Sequence, residues 1–200
     1  MKITSIKQQV KNAERASLFV DGKYSFSLSL NELVVEKLKI NQEIDEAELK
    51  RLKKLSEDGK LKARALEWAM NRPRSTREFK DYLYRKKAEP EQTDALIQEF
   101  TDRGYLSDQN FSNWLIDMRR RGGKSERAIK NELMKKGVPR EIIAEVLAHQ
   151  DGDELERLKT LVEKKRNLSR YKNDEVKFKQ FLLRQGFNYD DIKTVLADTE

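Results

Sequence analysis

The chain has 200 residues, 37% of them apolar and 38% charged, with 42 Lys and Arg against 35 Asp and Glu for a net charge of +7. That is leaner in apolar residues than an average globular chain, yet Leu, Ile, Val and Phe recur throughout with few Pro and Gly, which argues against wholesale disorder, and a thin, helix-rich body fits better than one large core. With no Cys and a single His, His149, the chain cannot build disulfide scaffolds, thiol nucleophiles, histidine triads or multi-His metal centres.

No apolar run approaches the roughly 18 residues needed to cross a bilayer. The first residues, Met1 to Lys7, lack the apolar core of a signal peptide, so the expected location is the cytoplasm. Residues 1–30 carry β character. Ile3, Ile6 and Val10 precede a polar break at Lys11-Asn12, and Ala16 to Val20 then leads into Asp21-Gly22. Tyr24, Phe26 and Leu28 follow in alternation. Asp-Gly between two β-favouring runs marks a hairpin, because a type I′ turn needs φ > 0 at both central positions. Two or three antiparallel strands are predicted, with Tyr24, Phe26 and Leu28 on one face under a helix.

Apolar positions 30, 33, 34 and 38 give helical spacing over 30–39. A second helix over 45–56 starts at the cap Asp45, with Glu48 completing a capping box and Ile44 stapling to Leu49, and Gly59 is read as its end. Residues 1–60 thus form a small α+β head. From 61 onward the chain is helical and repeats: Ser75 to Lys80 aligns with Ser125 to Lys130 and with Asp174 to Lys179. Downstream, Leu83, Leu133 and Leu182 fall together, as do Leu96, Val146 and Val195, while Gly137 and Gly186 share a slot that holds Lys87 in the first copy. A period near 50 signals a repeat array. Three three-helix units are expected, 61–108, 109–151 and 152–200. Their first helices cover 61–71, 108–120 and 153–170, their second 76–86, 126–136 and 174–185, and their third 91–103, 140–149 and 189–198. The fold class is mainly α, three tandem three-helix repeats in an elongated curved array preceded by the small α+β head with its β-hairpin.

Cations recur where the first helix of each unit passes to the second. The first unit has Arg72, Arg74 and Arg77; the second has Arg119, Arg120, Arg121 and Lys124; the third has Lys164, Lys165, Arg166, Arg170 and Lys172. Stacked with constant rotation, these corners would line one basic edge suited to a phosphate backbone or an acidic protein groove. Cations at helix C-termini also favour the macrodipole, so the same residues can serve the fold alone. Most aromatics sit at core spacing; Tyr84 and Tyr171, beside cations, are the candidates for stacking on bases. Asp190-Asp191 reads as first-turn charge and His149 as a helix C-terminal partner. Gly122-Gly123 lacks a P-loop context. No catalytic constellation, cofactor motif or metal site is found, so a non-enzymatic role is expected.

Arg72-Pro73-Arg74-Ser75 with Glu78, Phe79 and Leu83 resembles the opening motif of the RecX regulatory proteins. Gly104 to Asp108 with Phe111 and Trp114 resembles their segment joining the first and second repeats, and Glu132 to Val138 their second-repeat signature. The resemblance spans 61–200; Lys87 replaces the usual Gly and Ser112 stands where Ala is common. It implies a non-enzymatic partner of the RecA–DNA filament that lodges in the filament groove and restrains filament growth, ATP hydrolysis and strand exchange; a monomer is expected, because the basic edge disfavours close self-association there. Single- or double-stranded DNA is then a secondary partner, with no membrane and no cofactor involved. A general DNA-binding helical protein acting without RecA is the alternative that the basic edge leaves open.

Overall fold

The structure, a computed structural model, describes residues 1–149 and 153–198. Three strands, β1 (Ile3–Gln9), β2 (Asn12–Val20) and β3 (Lys23–Ser29), form an antiparallel sheet in the order β1-β2-β3. The hairpin turn between β2 and β3 lies at Asp21 and Gly22, whose φ angles are 48° and 80°, as the type I′ pattern requires. One expectation fails here. Phe26 and Leu28 are buried, but Tyr24 is 55% exposed. Phe19 pairs with Tyr24 while Leu18 pairs with Phe26, leaving Ser25 as the extra residue of a bulge that breaks the alternation. Tyr24 instead meets Phe19 edge to face, with ring centroids 6.0 Å apart.

The helices follow: α1 (Leu30–Val35), α2 (Glu46–Met70), α3 (Thr76–Arg85), α4 (Pro90–Asp102), α5 (Asp108–Arg121), α6 (Glu126–Lys135), α7 (Arg140–Ala148), α8 (Glu154–Arg166), α9 (Glu175–Gln185) and α10 (Tyr189–Asp198). The chain divides into two compact units, Met1–Trp68 and Ala69–Glu200. Helix α1 is shorter than expected, ending at Val35, and it starts with a complete capping box between Ser29 and Glu32. Leu18, Phe26 and Leu28 from the sheet pack with Leu38, Ile44 and Leu52 as the core of the first unit.

Gly59 does not end a helix. Helix α2 runs through it for 25 residues, joining the two helices expected over 45–56 and 61–71. A Cβ at Gly59 would collide with the Glu32 carboxylate, so the missing side chain admits α1 rather than stopping α2.

In the second unit the repeat is plain in the burial pattern. Phe79, Ile129 and Phe178 are buried one turn before the fully buried Leu83, Leu133 and Leu182, and Leu96, Val146 and Val195 are buried on the third helices. Helices α5–α7 enclose one apolar cluster around Phe111, Ile116 and Leu133, and α8–α10 another around Leu158, Phe178 and Val195. Helix α8 stops at Arg166, four residues short of expectation, and turns follow through Asn173. The expected boundary at 151/152 falls outside the described residues.

Successive units join by one geometry. The N-cap hydroxyl of α3, Ser75 Oγ, accepts from Glu78 N and donates to Lys136 O at the end of α6, 2.8 Å away. The N-cap of α6, Ser125, donates its backbone N–H to Gln185 O at the end of α9 (3.0 Å). The first turns of α3 and α6 also meet the first helix of the next unit: Thr76 N donates to Asp108 Oδ1 (2.9 Å) and Glu126 N to Glu154 Oε1 (2.6 Å). Helices α3, α6 and α9 thus stand head to tail, positive N-terminus against negative C-terminus, which satisfies orphan donors and acceptors at both seams.

Candidate site for an anionic partner

The expected basic corners do not serve one purpose. Arg72 is committed to the fold: its guanidinium reaches Glu78 at 3.0 and 3.2 Å, donates to Pro73 O, and lies 5.0 Å from the Trp114 ring centroid. Lys136 closes on the same carboxylate at 2.7 Å. Burial pushes the Glu78 carboxyl up, but the hydrogen bonds from Arg72 and Lys136 outweigh it and hold the group below the usual range. Arg119 makes a two-pronged pair with Glu132, at 2.7 and 2.6 Å. That bond raises the Arg119 pKa and lowers that of Glu132. Arg77 is exposed at its head, while its stem crosses the backbone of Gly137. Arg74 is half-buried in a small hollow of about 270 Å³ with Tyr105 and Asn110, where burial and then the charge of Arg72 lower its pKa.

The remaining cations of the second corner and two of the third meet in one place. Arg120, Arg121 and Lys124, at the end of α5 and the turn beyond, face Lys164 and Lys165 on α8 across a cleft of about 460 Å³. Sequence reasoning missed Arg157, which lines the same cleft from the middle of α8. Its spacing of four residues from Leu161 and seven from Lys164 placed it on that helix face, but the search was confined to the connections. Burial lowers the Arg120 pKa, with the charge of Arg157 the next cause. Asp153 and Glu156 stand at the N-terminal end of the α8 wall. The turn Gly122-Gly123 lets α5 approach: Gly123 has φ +76° and a Cβ there would strike Leu161 of α8.

The last three corner residues separate again. Arg166 and Lys172 line a hollow of about 220 Å³ beside Asp174 and Glu175. Arg170 caps the Tyr171 ring, 4.8 Å from its centroid. Tyr171 is no stacking platform, for it is 8% exposed and packs between Phe178 and Phe181 at 5.1 and 5.2 Å. The chain turns back after α8 and drives this ring into the core of the third unit. Tyr84 is 82% exposed. His149 caps α7, its Nδ1 2.7 Å from Glu145 O. Among the described residues no helix is long and apolar enough to cross a membrane, and no group of acidic, His or Cys side chains is arranged to hold a metal.

Comparison with known proteins places this architecture. The family model of the regulatory protein RecX N-terminal domain matches residues 1–45, that of the RecX second three-helix domain residues 107–147, and that of the third residues 152–196. Regulatory protein RecX of Listeria welshimeri is 31% identical over 198 residues, covering 96% of this chain and 74% of the relative. Regulatory protein RecX of Bacillus subtilis is 31% identical over 204 residues, covering 99% and 77%. A crystal structure of regulatory protein RecX has the same fold, with a TM-score of 0.71 over 98% of both chains at 22% identity. The crystal structure of RecX from Lactobacillus salivarius matches 70% of this chain and 95% of its own, with a TM-score of 0.56 at 27% identity. This chain belongs to the RecX family of regulatory proteins.

Proposed function

We propose that this protein is a non-enzymatic regulator of the RecA recombinase, chiefly a negative one. It lodges in the groove of the RecA–DNA filament and restrains filament growth, ATP hydrolysis and strand exchange. The observation that carries the reading is the match to regulatory RecX proteins along nearly the whole chain. The cleft between α5 and α8 supports it, because a filament of protein and nucleic acid offers anionic surfaces to Arg120, Arg121, Lys124, Lys164 and Lys165. Regulation then needs no covalent chemistry. A protein that binds one state of the filament more tightly than another shifts the population toward it by that difference in affinity. The protein acts as a monomer in the cytoplasm, and contacts to DNA are secondary to those with RecA.

The test is titration into preformed RecA filaments on single-stranded DNA, following ATP hydrolysis, with fluorescence anisotropy of the bare DNA alongside. Hydrolysis is expected to fall at protein concentrations too low to bind naked DNA. Unchanged hydrolysis with tight binding to bare DNA that weakens steeply with salt would replace this reading with that of a general DNA-binding protein.

A further inference from the structure

We propose that the outward stripe of the second helices, α3, α6 and α9, is a docking surface for a protein partner built of repeating subunits, each offering an apolar hollow beside carboxylates. This assignment rests on the regulatory reading above only for which protein supplies the subunits. None of the residues in the stripe lines the cleft between α5 and α8.

The exposed face of each second helix repeats. Arg77, Lys80 and Tyr84 stand at i, i+3 and i+7 on α3, and Arg127, Lys130 and Met134 hold the same three slots on α6. On α9 the slots hold Val176, Lys179 and Leu183. That spacing lines one side of a helix. The opposite side of the same helices buries Phe79 and Leu83, Ile129 and Leu133, and Phe178 and Leu182, so the core is already supplied.

A large apolar side chain left in water is ordinary when it stands singly. Here it recurs in one slot: Tyr84 is 82% exposed, Met134 37% and Leu183 40%. Met134 and Leu183 belong to neither apolar cluster of their units. The cation one turn earlier is equally regular. Among the described residues Lys80 and Lys130 have no carboxylate partner, whereas Lys179 pairs with Glu175. Because α6 ends on the N-cap of α3 and α9 on that of α6, the three stripes follow in series, with one apolar tip per helix of about 15 Å.

The occupant follows from this chemistry. Free lysines beside apolar tips complement carboxylates around an apolar hollow, and a tip repeated at intervals complements a partner whose subunits repeat. Lys80 and Tyr84 also line a hollow of about 180 Å³ with Ala88 and Pro90, which can receive a side chain in return. A nucleic-acid strand suits the stripe poorly, since it relies on rings for base stacking and only the first of the three tips is aromatic. A second copy of this chain would set lysine against lysine.

The experiment uses the full chain with photoreactive benzoylphenylalanine replacing Tyr84, Met134 or, as a control, Tyr189, which is 55% exposed on α10 outside the stripe. Each protein is added to RecA filaments on labelled single-stranded DNA and irradiated. Cross-links from the Tyr84 and Met134 sites to the RecA polypeptide are expected, several-fold above the control. Cross-links chiefly to the DNA, yields no higher than the control, or no cross-links at all would overturn the assignment. Alongside, Tyr84→Ser with Met134→Ser should raise the protein concentration needed to inhibit ATP hydrolysis by about tenfold, with circular dichroism and binding to bare DNA unchanged. Inhibition equal to that of the wild type would remove the stripe and leave the regulatory role standing. If the wild type itself does not inhibit hydrolysis, the regulatory reading falls and the cross-links alone decide the stripe.

Discussion

Three residues in one repeat slot show how a seam between units selects a side chain. Lys87, Gly137 and Gly186 all end a second helix with positive φ, at 60°, 77° and 100°. At Gly137 a Cβ would strike the Arg77 stem, and at Gly186 it would strike Ser125 and Ala128, because the preceding unit lies against both. Lys87 is exposed, so its slot tolerates a side chain at the cost of left-handed strain alone. Gly137→Ala should therefore lower stability by about 1–3 kcal/mol, combining strain with a collision at a packed seam. Lys87→Gly should raise it by up to about 1 kcal/mol, the relief of strain being partly offset by the freer unfolded chain. Urea unfolding of the full chain measures both. Equal losses in Gly137→Ala and in Gly122→Ala, whose φ of −78° carries no such strain, would refute the account.

At the scale of elements, the seam between α3 and α6 depends on Glu78, which receives Arg72 from its own unit and Lys136 from the next. Its carboxyl ionises below the ordinary value of 4.5, so its stabilising effect is complete above that pH and fades as the pH falls through the lower folded value. With 12% of its side chain exposed, Glu78→Gln should cost about 1–3 kcal/mol at neutral pH. The difference between variant and wild type should shrink on acidification below about pH 4.5. Urea midpoints taken across that window test this; a gap that stays constant with pH would mean the loss comes from packing. Most of these helices could be read from the chain, because caps such as Ser75, Ser107 and Ser125 and the apolar spacing are local signals that match the folded ends closely. Helix α2 could not, since Gly59 looks like a terminator until the Glu32 carboxylate is known to lie against it. Tyr24 likewise depended on a bulge that strict alternation cannot reveal.

At the scale of the whole molecule, the net charge of +7 divides by partner rather than by position in the repeat. The sequence places Arg72 and Arg119 in the same class as Arg121 and Lys164, yet Arg72 is held by Glu78 in the first turn of α3 and Arg119 by Glu132 of α6, partners that the charge pattern of the corners does not disclose. Arg121 and Lys164 are exposed and line the cleft. The two classes should separate in a paired experiment. Arg119→Gln breaks a pair in which both partners keep some solvent, so it should cost up to about 1 kcal/mol of stability and leave RecA-filament inhibition unchanged once the protein is folded. Arg121→Glu with Lys164→Glu should cost about 1–2 kcal/mol, because each puts an anion into the last turn of its helix, and leave the fold in place. If the cleft meets the anionic partner proposed above, inhibition of ATP hydrolysis should then require about tenfold more protein. Raising the salt should narrow the gap between wild type and this double variant, because the lost attraction is the screened part of the interaction. If Arg119→Gln impairs inhibition as much as the double reversal does, the basic residues act as one continuous edge after all, and the cleft loses its special place.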